Sequence, residues 1–186
     1  MEKFKQLAVA IFFTVFVVTI VSAMMNPAVS QTKYSHVKSH LVFDKKFSGK
    51  VFVIDGDSLK VGGKEVRLFG IDAPEYHQTC LDSQSEEYAC GLISLEFTRK
   101  LANGKNAECL YAEKDKYDRY LGKCFVDGVS INEELIKNGM AVIYNFSESD
   151  AAMDEFEAAA KKKKLGIWRG AFQLPKDYRK ENPRIN

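Results

Sequence analysis

With 186 residues, 46% of them apolar, the chain can form one sizeable core plus a short extra segment. Its 27 Lys and Arg nearly balance 25 Asp and Glu, giving a formal net charge of +2, of which Lys3 and Lys5 against Glu2 account for one unit. That balance excludes a protein that meets phosphates through a uniformly basic surface; any such affinity must come from local clustering.

Residues 1–30 read as an export signal. Lys3 and Lys5 form a positive start, and Leu7 to Ala23 is apolar apart from Thr14, Thr19 and Ser22. Two small-residue cleavage patterns follow, Val21-Ser22-Ala23 and Ala28-Val29-Ser30. The stretch Leu7–Met25 is also just long enough to span a bilayer, so an uncleaved anchor is the rival reading. Either takes the domain out of the cytoplasm, to a periplasmic, extracellular or membrane-anchored location. Cys80, Cys90, Cys109 and Cys124 are an even set in an exported chain, which points to two disulfides with three possible connectivities. The absence of any Cys-x-x-Cys pair argues against a four-cysteine zinc site.

Residues 31–46 are polar, carry His36 and His40, and read as a flexible lead-in whose histidines are solvated. From Phe47 to Ile54 the chain is rich in Val, Phe and Ile, then turns at Asp55-Gly56. Ser58–Val61 and Lys64–Ile71 flank Gly62-Gly63, a hairpin signal. Helical spacing is expected from about Glu86 to Ala102, ending at Asn103-Gly104. Ala107–Ala112 and Leu121–Val126 read as two further strands. Ser130-Ile131-Asn132-Glu133 is a capping box for a helix that ends at Asn138-Gly139. Glu148–Leu165 repeats the pattern, with acids early and the solvated run Lys161–Lys164 late, as the helix dipole favours. The expectation is an α+β domain over residues 47–180, a five-stranded OB-type β-barrel with about three packed helices, followed by a tail at 181–186.

Cys109 and Cys124 lie equally far from a hairpin centred near Lys116-Tyr117, so antiparallel pairing sets them opposite each other, within bridging range. Cys80 and Cys90 then close a short loop beside Asp72–Glu75. A two-residue loop at Gly62-Gly63 puts Arg67 opposite Ser58 and beside Asp57, while the strand runs on toward Asp72. Asp57, Asp72 and Glu75 fit no buried-strand alternation. Carboxylates with arginines at one barrel edge suit phosphodiester hydrolysis: hard oxygens suit Ca²⁺ or Mg²⁺, and guanidinium forks suit phosphate oxygens. A surface salt-bridge group is the plainer alternative from spacing alone.

Val53-Ile54-Asp55-Gly56-Asp57-Ser58-Leu59 and Arg67-Leu68-Phe69-Gly70-Ile71-Asp72-Ala73-Pro74-Glu75 resemble the two-part signature of thermonuclease (staphylococcal-nuclease-like) domains. Asp115-Lys116-Tyr117-Asp118-Arg119 resembles that family's second arginine loop, and Cys90-Gly91, Asp127-Gly128, Asn132-Glu133, Asn138-Gly139 and Gly166-Ile167-Trp168 match further. The resemblance implies a Ca²⁺-dependent nuclease that cuts DNA and RNA and leaves 3′-phosphates, with one ion held by Asp57, Asp72 and the Ala73 carbonyl, and Asp55 in its outer shell. It implies that Glu75 orients or deprotonates the attacking water and that Arg67 and Arg119 grip the phosphate. Lys116 and Tyr117 would meet a neighbouring phosphate, and Tyr144 the nucleotide. No protein partner is implied, and a monomer is expected.

Two departures stand out. The family usually has Gly before the second arginine where this chain has Asp118; a shifted register would make Lys123 the functional cation, although counting back from Cys124 favours Arg119. Asn145–Asp150 also lacks an aromatic pair common in the family. The rival function is a non-catalytic nucleic-acid-binding barrel, as in Tudor-associated relatives that have lost the carboxylates; such a module is expected to show stacking aromatics on a basic groove. A cell-surface structural module is the third reading. The presence of Arg67, Asp57, Asp72, Glu75 and Arg119 together favours the enzyme.

Overall fold

Alternation of buried and exposed side chains builds the first strands. The computed structural model describes residues 41–144 and 151–183. The expected signal or anchor, His36, His40 and the segment 145–150 lie outside the described residues. β1 (Lys45–Val53) buries Val51 and Val53 while Phe52 between them faces out. β2 (Ser58–Val61) and β3 (Lys64–Leu68) follow, joined at Gly62-Gly63, whose φ values of +55° and +86° are those of the tight turn that suits strand twist. The hairpin sets Ser58 opposite Arg67, as its loop length predicts. The expected single strand to Ile71 is broken at Gly70, with φ +78°, so that Ile71–Asp72 forms a separate strand, β4.

Next come β5 (Cys80–Leu81) and β6 (Glu87–Tyr88), a short ladder not foreseen from the sequence, and then α1 (Cys90–Ala102). The helix therefore begins at Cys90 rather than near Glu86, because Glu87 and Tyr88 pair with Leu81 and Cys80 instead. β7 (Asn106–Lys114) and β8 (Tyr120–Val126) form the long hairpin, with an irregularity between Tyr111 and Lys114. β9 (Val129–Ser130) leads into α2 (Ile131–Lys137), where the Ser130 hydroxyl accepts the Glu133 N–H at 3.3 Å, as the capping box predicts. β10 (Val142–Ile143), α3 (Ala151–Lys162), a 3₁₀ turn (Gly166–Arg169) and α4 (Pro175–Glu181) complete the described chain.

The sheet runs β3-β2-β1-β7-β8-β9, and parallel pairing of β3 with β8 closes five strands into a barrel. This is the expected OB-type α+β architecture, with four helices among the described residues where about three were expected. Val51, Val53, Leu59, Val61, Val66 and Leu68 fill the barrel, and Leu95 of α1 with Leu135 and Ile136 of α2 seal it. Asn132, 3% exposed, ties α2 to the barrel: its side chain accepts from the Cys124 N–H and donates to the Phe69 and Gly122 carbonyls. Gly139 and Gly166 lie back to back, where a side chain on either would strike the other's strand of backbone, and the Ile167 N–H donates to the Gly139 carbonyl at 2.9 Å. That contact explains why Asn138-Gly139 and Gly166-Ile167-Trp168 occur together in one chain.

Two disulfides are present, Cys80–Cys90 and Cys109–Cys124, the latter between directly opposed residues of β7 and β8. A Cys109→Ala/Cys124→Ala variant is expected to lose about 2–4 kcal/mol in urea unfolding, the usual effect of opening a loop of this size. A loss well under about 1 kcal/mol would mean that strand pairing alone supplies the hairpin's stability.

Candidate active site

A turn, a short strand and a loop at one edge of the barrel bring the predicted acids together. Asp57 ends the turn before β2, Asp72 lies in β4, and Glu75 follows in the loop after it. Both aspartates are nearly enclosed, Asp57 at 4% and Asp72 at 1% exposure, so each must have charged or hydrogen-bonding partners. Arg67 provides them. Its guanidinium pairs with Asp57 and, through Nη2, with Asp72 Oδ1 at 2.8 Å and the Ile71 carbonyl at 3.2 Å. Burial lowers the Arg67 pKa and Asp72 offsets only part of that, but a guanidinium stays charged in any case.

Two backbone N–H groups and one hydroxyl fix the carboxylates further. Asp57 Oδ2 accepts the Ala73 N–H at 2.7 Å, Asp57 Oδ1 accepts the Ser58 hydroxyl at 3.3 Å, and Asp55 Oδ1 accepts the Asp57 N–H at 3.2 Å. β4 pairs with β10, Asp72 against Val142, so the aspartate sits on a short ladder rather than a free loop. β10 is itself held by buried Glu157, which accepts the Ile143 N–H at 2.9 Å.

The Glu75 loop is organised by Gln78, a fully buried amide that sequence reasoning passed over. Gln78 Oε1 accepts the Glu75 N–H at 3.2 Å, and its Nε2 donates to the Gln173 carbonyl at 2.7 Å. Gly91, the second residue of α1, lies so close that a Cβ there would overlap the Glu75 carbonyl oxygen. The neighbouring Cys80–Cys90 bridge anchors the same loop to the start of that helix.

Arg119 lies one residue before β8, whose pairing sets Tyr120 opposite Val66 and Leu121 opposite Arg67. Strand alternation therefore puts Arg119 and Arg67 on the same outer face, with backbones about 8 Å apart given ordinary strand spacings. The loop before it is shaped by Asp115: one carboxylate oxygen accepts the N–H groups of Tyr117 and Arg119, the other the Arg119 Nε at 2.8 Å. Burial alone would raise the Asp115 pKa, but hydrogen bonds from Arg119 and from the two N–H groups hold it below the ordinary carboxylate value. Its folded pKa being the lower, its stabilisation is complete above the unfolded carboxylate range and lost only as acid carries the pH down through the folded value.

Asp118 has φ +65°, in the left-handed region that favours glycine. Its carboxylate turns outward to Lys114 Nζ at 2.7 Å. Tyr117 is exposed, with Lys116 and Arg119 over its ring at 5.0 and 5.5 Å. Lys123 instead lies over Phe43 at 5.1 Å. Tyr144 is half-exposed, its N–H bonded to the Gly70 carbonyl beside β4.

A further cation reaches the centre. Arg179 of α4 donates to Asp72 Oδ1 at 2.8 Å, to Asp72 Oδ2 at 3.0 Å and to Glu75 Oε1 at 2.9 Å. Burial lowers its pKa, and the hydrogen bonds and charges of Asp72 and Glu75 more than reverse that, so the guanidinium is held charged. No motif in the sequence marks Arg179; it joins the site across 107 residues of chain.

Hard oxygens from Asp57, Asp72 and Glu75 make a donor set whose chemistry fits a hard divalent cation. In the arrangement described they face guanidinium groups, and among the described residues no three His, Cys, Asp or Glu side chains converge on a common ion position.

A closed five-stranded barrel of OB type thus carries carboxylates and arginines interleaved at one edge. The profile of the family described as staphylococcal nuclease homologue matches residues 65–170, and the chain belongs to that family. A succinoglycan biosynthesis protein, ExoI, of Rhizobium meliloti is 36% identical over 123 residues, covering 65% of this chain and 64% of that one. The chain thus spans less than two thirds of that relative's length. An uncharacterized endonuclease of Escherichia coli O157:H7 is 29% identical over 130 residues, 67% of this chain and 78% of the relative. Endonuclease YncB of Bacillus subtilis is 33% identical over 128 residues, 62% and 58% of the two chains.

Two substitutions probe this geometry. Gly91→Ala is expected to displace the Glu75 backbone and cut nuclease turnover at least tenfold (about 1.4 kcal/mol) while Glu75 itself is unchanged; full activity would mean that the loop yields freely. Asp118→Gly is expected to keep stability, whereas Asp118→Val, forced into the left-handed region, is expected to cost about 1–2 kcal/mol in thermal unfolding.

Proposed function

We propose that this nuclease-family hydrolase is an exported endonuclease that cleaves phosphodiester bonds of DNA and RNA with one Ca²⁺ ion and leaves 3′-phosphate ends. The observation that carries the reading is the clustering of Asp57, Asp72 and Glu75 around Arg67 at one barrel edge. The two disulfides support export, since such bridges persist in oxidising compartments. Whether the first thirty residues are cleaved or anchor the chain, the catalytic domain would work outside the cytoplasm, as a monomer.

Asp57, Asp72 and the Ala73 carbonyl would hold the ion, with Asp55 behind them; once bound, it supplies Lewis-acid polarisation of a phosphoryl oxygen. Glu75 would accept a proton from the attacking water, or orient it, at a carboxylate oxygen. Arg67 and Arg119 would each present two N–H groups to phosphate oxygens and hold the charge that develops there. Lys116 and Tyr117 would meet the next phosphate, and Tyr144 would flank the nucleotide.

The first test is cleavage of single-stranded DNA by the oxidised full-length chain, with Ca²⁺ and with chelator. Cleavage is expected only with Ca²⁺, and Glu75→Gln is expected to lower the rate by about 10²–10⁴-fold without changing the unfolding curve. A folded sample that binds DNA but never cuts it would favour a non-catalytic binding barrel. Arg119→Ala is expected to be severe and Lys123→Ala mild; the reverse ranking would transfer the second phosphate contact to Lys123.

A further inference from the structure

Arg179 occupies oxygens that the proposed ion also needs. Its Nη1 bonds both Asp72 Oδ1 and Glu75 Oε1, its Nη2 takes Asp72 Oδ2, and Arg67 already shares Asp72 Oδ1. Three guanidinium hydrogen bonds fall on the two oxygens of an aspartate that is 1% exposed. A divalent cation approaches a carboxylate oxygen to about 2.3–2.6 Å and draws on the same lone pairs. An ion arriving at oxygens that already carry two guanidinium groups adds a further positive charge on an aspartate almost removed from water, and is strongly repelled while both stay in place.

Arg179 is also held within reach. α4 is short, and its approach is fixed by bonds to the same loop that carries Glu75. The Gln173 carbonyl accepts from Gln78 Nε2, the Ala171 carbonyl accepts the Leu81 N–H at 2.8 Å, and the Tyr178 hydroxyl donates to the His77 carbonyl at 3.3 Å. A competitor tethered in this way acts at a high effective concentration.

We propose that Arg179 is an intramolecular competitor for the divalent cation: the α4 guanidinium and the ion exclude each other on Asp72, with Glu75 helping to hold the guanidinium there. The inference rests on the reading of this cluster as the ion site. Arg179 then sets the cation concentration at which the site loads, so that the enzyme is held closed where divalent cations are scarce and opens where they are abundant. If the guanidinium occupies the carboxylates in about nine-tenths of molecules or more, it weakens apparent cation affinity about tenfold or more.

Two measurements on the oxidised full-length chain, without nucleic acid, test this. Calorimetric titration with Ca²⁺ alone is expected to show Arg179→Gln binding about tenfold tighter than the wild type. In the wild type, nitrogen-15 NMR of the arginine guanidinium groups is expected to show the Arg179 signal leaving its carboxylate-paired position as Ca²⁺ saturates, a readout that does not depend on the variant folding. Equal or weaker affinity in Arg179→Gln would overturn the proposal, as would an Arg179 signal unmoved at saturating Ca²⁺; either would leave the ion site itself standing. Failure of both proteins to bind Ca²⁺ would remove the ion site and the competition together.

Discussion

Arg67 sits within β3 with its guanidinium between Asp57 and Asp72, two carboxylates that the fold removes almost completely from water. Charges in that position are tolerated only in company, and each member must be delivered by a separate stretch of backbone to a common point. Much of the molecule serves that delivery. The Gly62-Gly63 turn fixes which residue of β2 faces Arg67, and the break at Gly70 lets β4 turn so that Asp72 meets the same guanidinium. Parallel closure of β3 on β8 brings the Arg119 loop alongside. Such a cluster adds little to net stability and much to specificity, because any slip in one strand register would strand a buried charge.

The second half of the chain acts on the site from behind. Asn132 links α2 to the Phe69 carbonyl just before the Gly70 break, and Glu157 of α3 caps β10, the partner of β4. Gln78 and Gly91 lock the Glu75 loop against α1, while the segment from Ala171 to Arg179 packs on that loop's far side. Backbone held at so many points fixes where these acids sit, the kind of preorganisation on which electrostatic catalysis of the proposed kind depends.

What the sequence disclosed and what it hid divide along contact distance. The hairpin register, the Ser130 hydroxyl cap on Glu133 N–H and the Cys109–Cys124 pairing follow from local chemistry, and the structure has all three. The acids Asp57, Asp72 and Glu75 were legible because they break the strand pattern and because neighbouring residues form a distinctive signature. By contrast, β5 and β6 are two-residue strands with no period to detect, and α4 is seven residues with a polar composition. Gln78 and Arg179 were invisible for a deeper reason. Nothing near them in sequence distinguishes a buried amide or a reaching guanidinium from a surface one; their roles exist only once chain ends far apart are packed together.

The near-neutral charge of the whole chain is the other half of the same design. With 27 basic against 25 acidic side chains, no general attraction draws a polyanion to this surface. At the barrel edge, however, the acids and guanidinium groups alternate: Asp57, Arg67, Asp72, Arg179 and Glu75 form one chain of contacts. Such an alternating row can present negative oxygens to a cation and positive forks to a phosphate within a few ångströms, which a uniformly basic groove cannot do. Near-balance in the whole chain is thus compatible with strong local charge of both signs, and it explains why composition alone does not reveal this cluster.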